Sequence, residues 1–268
     1  MHKPVGIDSP ANPRIKRVLR IYQQGPRHES GLMVVEGARE VRCAIQNSHI
    51  PAELFITESA AATDAFDDIT GVCHEHDVSI ATCSPRVFDK LAYRESNADI
   101  LALFPRITAQ LEDLELSPSP LLLLAEKIEK PGNLGAILRT ADAAGADAVI
   151  ICDANVDICN PNVVRASVGT VFSVPVVSTD TGTAVSWLEG HAVSLYAASP
   201  DGHRLYTEPD YCGSVAFIVG AEHEGLSEPL AARAETRVRI PMHGQADSLN
   251  VAGTAAILLY EALRQRST

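Results

Sequence analysis

Ile240-Pro-Met-His-Gly-Gln-Ala-Asp-Ser-Leu-Asn-Val-Ala-Gly-Thr-Ala-Ala-Ile-Leu-Leu-Tyr-Glu261 is the stretch whose reading decides the fold. The β-branched run from Thr236 to Ile240 stops at Pro241, a polar loop with a glycine follows, and Ser248 and Asn250 stand where an apolar helix begins. The stretch spells strand, loop and helix. Ala252, Gly253, Ala255 and Ala256 let another backbone come close, and Leu249, Val251, Ile257, Leu258, Leu259 and Leu263 leave little of the circumference polar. A helix of that kind is buried on more than one side. Its N-terminus offers unsatisfied N–H groups to a small polar ligand, with Ser248 and Asn250 beside them. The role of a simple N-cap suits either side chain equally well.

Upstream of this stretch, Leu121–Ala125, Ala148–Cys152, Ala192–Ala197 and Ser214–Val219 are short, mostly apolar runs, as is Thr236–Ile240. They read as parallel strands covered on both faces. Helices between them are predicted to begin near Leu134, Thr183 and Leu226. A doubly wound sheet binds ligands at the carboxyl ends of its strands, which singles out the loops after Ala125, Ala197, Val219 and Ile240. Two of these are as distinctive as the opening stretch: Glu126-Lys-Ile-Glu-Lys-Pro-Gly-Asn-Leu-Gly-Ala-Ile-Leu-Arg139 and Gly220-Ala-Glu-His-Glu-Gly-Leu226. Gly132 and Gly135 allow a tight turn, with Asn133 and Arg139 six residues apart across it. Neither G-x-G-x-x-G nor G-x-x-x-x-G-K-[ST] occurs, so a dinucleotide or nucleoside triphosphate site lacks its phosphate cradle. Gly132-Asn-Leu-Gly135 also satisfies the G-x-x-G of a KH domain, but four residues are too few to carry that reading.

The first hundred residues read as a smaller α/β domain. Asn12 caps a helix whose first position is Pro13, with Ile15, Val18, Leu19 and Tyr22 on one face. Arg14, Lys16, Arg17 and Arg20 occupy the others, and Arg27 and His28 follow. This basic surface suits phosphates, or is an ordinary solvated face. Strands are expected at Leu32–Val35, Glu53–Thr57, Ser79–Thr82 and Ile100–Phe104, and helices at Ala38–Gln46, Ala65–His76 and Pro85–Ala92. The acidic, Ser-Pro-containing composition from Pro105 to Pro120 reads as an interdomain linker. The expected organisation is therefore 1–106 as one domain, 107–120 as linker and 121–268 as a second domain.

Composition bounds function. The 268 residues carry a formal charge of −12, which argues against indiscriminate nucleic-acid binding. Residues 1–40, however, have seven Lys/Arg against four Asp/Glu and are the only basic part. Six cysteines without a C-x-x-C pair, no signal peptide and no long apolar span point to a reduced, cytoplasmic compartment. Cys73-His-Glu-His76 lacks a second cluster at zinc spacing and reads as the end of a solvated helix, so no metal is expected.

Together the three loops resemble the three motifs of the SpoU/TrmH family of SPOUT methyltransferases, which transfer methyl groups from S-adenosylmethionine to RNA ribose 2′-hydroxyls. Asn133–Arg139 is similar to the first motif, Gly220–Leu226 to the second, and Ile240–Met242 through Ser248–Val251 to the third. Asn160-Pro-Asn-Val-Val-Arg-Ala-Ser-Val-Gly169 resembles the family segment that lines the RNA side of the site. Asn12-Pro-Arg-Ile-Lys16 and Val35-Glu-Gly-Ala-Arg39 resemble the ribosomal-protein-like substrate-binding domain of many members. Departures are Lys130, where an acidic residue is common, and Ala252 and Gly253 after Asn250-Val251.

The resemblance implies an α/β protein with a C-terminal SPOUT-type knotted parallel-sheet domain, and a homodimer with its sites at the subunit interface. It implies S-adenosylmethionine as cofactor and structured RNA as partner, with 23S ribosomal RNA ahead of transfer RNA because of the N-terminal domain; antibiotic-resistance methylation falls within the same chemistry. Asn133, Arg139, Glu222, Ser248 and Asn250 are the expected catalytic set, with Arg139 stabilising the oxyanion, Glu222 holding Arg139, and Asn133 fixing the RNA or orienting Arg139. Ser199, Gly220, Ile240, Ser248 and Leu249 are expected to hold the cofactor. Arg14, Lys16, Arg17, Arg27, Arg39, Arg165 and Ser167 are expected to meet RNA. A non-catalytic RNA-binding module and a nucleotide-dependent oxidoreductase or small-molecule transferase are the other classes, distinguished by failure to bind the methyl donor and by a bound nicotinamide or flavin.

Overall fold

The computed structural model describes residues 5–24, 30–92, 98–221 and 225–267, which form two compact units, 1–107 with 157–173 and 108–156 with 174–268.

In the first unit the strands are β1 (Val5–Ile7), β2 (Leu32–Glu36), β3 (Glu53–Thr57), β4 (Ser79–Cys83) and β5 (Ile100–Pro105), in the order β1-β4-β3-β5-β2. β1, β4 and β3 run parallel, and β5 is antiparallel to both β3 and β2. The helices are α1 (Pro13–Gln24), α2 (Ala38–Gln46), α3 (Glu58–Ala61), α4 (Asp67–Glu75) and α5 (Pro85–Leu91). Asn12 caps α1 as expected, its Oδ1 accepting from Arg14 N at 2.9 Å. Ile15, Val18, Phe55, Val87, Leu91 and Leu101 close one face of the sheet into a core. The short edge strand β1 was not expected; its three residues carry too little pattern to be read alone.

The second unit is a seven-stranded parallel sheet in the order β10-β12-β9-β11-β6-β7-β8. The chain enters it through β6 (Leu121–Glu126), α6 (Pro131–Ala144) and β7 (Ala148–Cys152), all of whose strand residues are buried. α6 starts three residues before Leu134: Pro131 takes its first position, where a missing N–H costs nothing. After α7 (Pro161–Ala166), which packs in the first unit, come β8 (Val176–Thr179), α8 (Thr181–Gly190), β9 (Ser194–Ala198), β10 (Arg204–Leu205), β11 (Val215–Val219), α9 (Glu228–Arg233), β12 (Thr236–Arg239) and α10 (Val251–Arg266).

Two parts of the chain pack differently from expectation. Residues 157–173 cluster with the first unit: Cys43 Sγ donates to Gly169 O at 3.2 Å, and Phe172 stacks near Phe104 and His49. A Cβ at Gly169 would lie 2.7 Å from that of Cys43, so only glycine permits this approach. Residues 108–120, within the expected interdomain linker 107–120, pack on the second unit. Leu111 is buried in the second unit's core with Leu114 and Leu116 against it, and Asp147 accepts from Ser117 N and Leu121 N at 2.9 and 2.8 Å. Among the described residues no helix is long and apolar enough to cross a membrane.

Candidate active site

A cavity of about 760 Å³ opens where β9, β11 and β12 end and α10 begins. Ser199, Gly220, Ile240, Ser248 and Leu249, the five residues expected to hold the cofactor, all line it. Its volume suits a ligand of drug or cofactor size. Two glycines, Gly220 in its wall and Gly202 behind the lining residues Val238 and Arg239, permit close backbone approach. A Cβ on Gly202 would lie 2.5 Å from Val238 C and 2.7 Å from Arg239 N, and one on Gly220 would collide with the Gly225 carbonyl. The loop after β11 is closed at its base by Ala221 N to Gly225 O at 3.0 Å and Gly225 N to Ala221 O at 3.1 Å. Glu222 lies outside the described residues. Asp201, Glu228, Arg237, Arg239 and Asp247 also line the cavity, so its rim can meet charges of both signs.

Of the residues expected to be catalytic, the structure joins Asn133 and Asn250. Asn250 is the N-cap of α10, its Oδ1 accepting from Ala252 N at 2.9 Å. Its other amide atom, Nδ2, donates to Asn133 Oδ1 at 3.1 Å and joins the first and third motifs. Capping and contact are therefore done by one side chain. Ser248 is exposed and lines the cavity rather than capping the helix. Arg139 stands on α6 with Asn133, but six residues on, about 9 Å along the axis and about 120° around it. It is exposed and forms no ion pair among the described residues. Lys127 holds a left-handed φ of 49° between β6 and α6, a conformation uncommon for a side-chain-bearing residue and frequent at functional loops.

In the first unit the expected RNA-binding residues divide. Lys16, Arg39 and Arg165 are exposed. Arg14 and Arg17 both pair with the carboxylate of Glu53, which is 4% exposed, and Arg14 also donates to Ser79 Oγ at 2.9 Å. Arg14 further lies over the Phe55 ring, 5.8 Å from its centroid. These two arginines thus hold the helix to the sheet with part of their charge. Arg27 lies outside the described residues. Ser167 is a correction: it is 0% exposed and its hydroxyl donates to Val164 O at 2.9 Å, so the side chain presents no surface to a ligand. Burial pushes the Glu40 carboxyl up, while its own backbone N–H and the charges of Arg39 and Arg165 oppose that rise.

Sequence reasoning passed over Glu126, a carboxylate 1% exposed at the end of β6. Its position after five apolar residues and before a lysine-rich loop was the available signal. Four buried thiols are poor nucleophiles: burial pushes Cys73, Cys83 and Cys159 up to about 11 and Cys152 up to about 12.

Comparison with known proteins agrees with this geometry. The profile of the SpoU rRNA Methylase family matches residues 120–260, and that of an MRM3-like substrate binding domain matches residues 12–102. The 23S rRNA (guanosine(2553)-2′-O)-methyltransferase RlmP of Bacillus subtilis (strain 168) is 29% identical over 95% of this chain and 97% of its own. A crystal structure of an RNA 2′-O ribose methyltransferase is 40% identical, covering 98% of this chain and 100% of that one, with a TM-score of 0.84. The AdoMet-bound rRNA methyltransferase from Sinorhizobium meliloti is 27% identical over 97% of both chains, with a TM-score of 0.88. The ordered motifs, the parallel sheet that presents them and these matches make the chain a member of the SpoU rRNA methylase family.

Proposed function

We propose that this protein transfers the methyl group of S-adenosylmethionine to a ribose 2′-hydroxyl of 23S ribosomal RNA. The observation that carries the reading is the cavity at the ends of β9, β11 and β12, beside which Asn250 joins Asn133. Bound there, S-adenosylmethionine supplies a methyl group activated by its sulfonium. The residues fit it: glycine-tightened backbone at Gly220, Ile240 and Leu249 gives N–H and C=O groups for an adenosine, and Ser199 and Ser248 add hydroxyls.

The chain's own groups then position and stabilise the nucleophile. A ribose hydroxyl is weakly nucleophilic, so holding it in line and stabilising its developing charge are the two effects the site has to supply. Arg139, exposed on α6, is a donor only, and so stabilises the oxyanion or the adjoining phosphate while the hydroxyl proton passes to solvent water. Asn133, held by Asn250, orients the RNA. To Glu222 falls the proposed role of holding Arg139 by a charge-assisted hydrogen bond. Lys16, Arg39 and Arg165, with Arg27 and the unshared donors of Arg14 and Arg17, neutralise RNA phosphates. The protein acts as a homodimer through α10, whose Tyr260 is 49% exposed beside Gly253, Ala256 and Ile257 on one helix face, and α10 completes a C-terminal knot. The proposed place of action is the cytoplasm, in keeping with a ribosomal RNA substrate.

The test is transfer of label from methyl-labelled S-adenosylmethionine to unmodified 23S ribosomal RNA, with 16S and transfer RNA in parallel. Label in 23S RNA alone is the expected result. Label in transfer RNA alone overturns the substrate assignment, and absence of donor binding overturns the catalytic reading in favour of an RNA-binding module.

A further inference from the structure

Glu126 is the most deeply buried carboxylate at the carboxyl edge of the second unit's sheet, 1% exposed, and none of the steps above uses it. A buried charge is retained against its desolvation cost only where hydrogen bonds compensate it. Here both oxygens point at the starts of other elements. Oε2 accepts from Ser227 N at 2.8 Å, and Oε1 lies 3.3 Å from Thr181 Oγ1, whose hydroxyl donates to Asp153 Oδ2 at 2.6 Å. Ser227 is the N-cap residue of α9, and its neighbours Leu226 and Glu228 both line the cavity, as do Gly220, Ala221 and Gly225 just before them. The Ser227 hydroxyl is buried with no partner among the described residues, so it does not fix that residue in place.

We infer that Glu126 is a positioning residue for the methyl donor: through Ser227 N it fixes, from behind, the part of the cavity wall formed by Gly225, Leu226 and Glu228. It touches neither donor nor RNA. Its effect is to hold Gly225, Leu226 and the start of α9 in the shape that receives the donor, so that donor affinity rather than the chemical step depends on it. The bond that matters is reach to an N–H, not charge. A glutamine can meet the same geometry, its Oε1 accepting from Ser227 N and its Nε2 donating to Thr181 Oγ1. An aspartate keeps the charge but is one methylene too short.

This inference rests on the methyltransferase reading, and the experiment separates the two. S-adenosylmethionine binding by calorimetry, and KM for the donor and kcat at saturating donor, are measured for the full-length protein and its Glu126→Gln, Glu126→Asp and Glu126→Ala variants. Glu126→Gln is expected to bind within about twofold of the wild type, whereas Glu126→Asp and Glu126→Ala bind about tenfold more weakly, with KM raised and kcat retained. The Gln and Asp pair decides the question even if Glu126→Ala does not fold. Aspartate binding as tightly as wild type, glutamine weakened as much as aspartate, or kcat falling in place of affinity each overturns the positioning role. A wild-type protein that fails to bind the donor instead overturns the methyltransferase reading itself.

Discussion

Asn250 combines a helix cap and a contact to a second proposed site residue in one side chain. Its Oδ1 caps α10 and its Nδ2 reaches Asn133, so the two tasks use different atoms and can be separated. Asn250→Asp keeps an acceptor for the Ala252 N–H but has no donor for Asn133. The melting temperature is therefore expected to stay near that of the wild type, while methyl transfer falls. Asn250→Ala removes both and is expected to destabilise the fold by about 1 kcal/mol as well, as loss of an N-cap does; equal loss of stability in both variants contradicts this division. At this scale the sequence was legible where the chemistry is local. Asn12 before Pro13 gave a cap, and Ser199, Gly220, Ile240, Ser248 and Leu249 converge on one cavity. It was illegible where a partner is distant: nothing near Arg14 or Arg17 announces Glu53, 39 and 36 residues away. Ser167 misled because a hydroxyl bonded to its own turn is easily buried, so polarity did not report exposure.

Elements were readable in proportion to their length and pattern. α2 and β3 fall within their expected bounds, whereas β8, four residues with two on the solvated side, and β10, two residues at an edge, carry no usable period. The end of α10 is fixed by contacts that no periodicity reveals. Arg266 donates to Tyr211 O at 2.9 Å, Ser119 O at 2.7 Å, Pro120 O at 3.3 Å and Gly213 O at 2.6 Å. Arg266→Ala strips four carbonyls of a donor and is expected to cost about 2–4 kcal/mol, read as a fall in unfolding midpoint in urea; a loss under about 0.5 kcal/mol contradicts this. The 157–173 segment carries a second prediction. Its Phe172 ring packs 5.1 Å from His49, and burial holds the imidazole below its ordinary pKa of 6.5. Because the folded state disfavours the charged ring, the stability this group contributes is present above pH 6.5 and is lost as pH falls through the folded value. The melting temperature of the wild type is expected to drop between pH 7 and 5 more than that of His49→Gln, and parallel profiles contradict it.

On the scale of the whole molecule, the formal charge of −12 opposes indiscriminate attraction of phosphates, and the first forty residues are the only basic part, where the proposed RNA contacts of the first unit begin. The exposed face of α10, with Tyr260 and Ile257, is the part of the second unit proposed to meet a second copy. Tyr260→Glu is expected to shift the protein from dimer to monomer in sedimentation and to reduce methyl transfer; a monomeric wild type contradicts the assembly. The central claim, methylation of a ribose oxygen with Arg139 stabilising the charge that develops there, is tested most directly by nucleoside mass spectrometry. 23S RNA treated with the wild type and with Arg139→Ala is digested and its methylated nucleosides are identified. A 2′-O-methyl nucleoside formed by the wild type, and formed at least about a hundredfold more slowly by Arg139→Ala, is the predicted result. A methyl group on a base, or an unimpaired Arg139→Ala, contradicts the account.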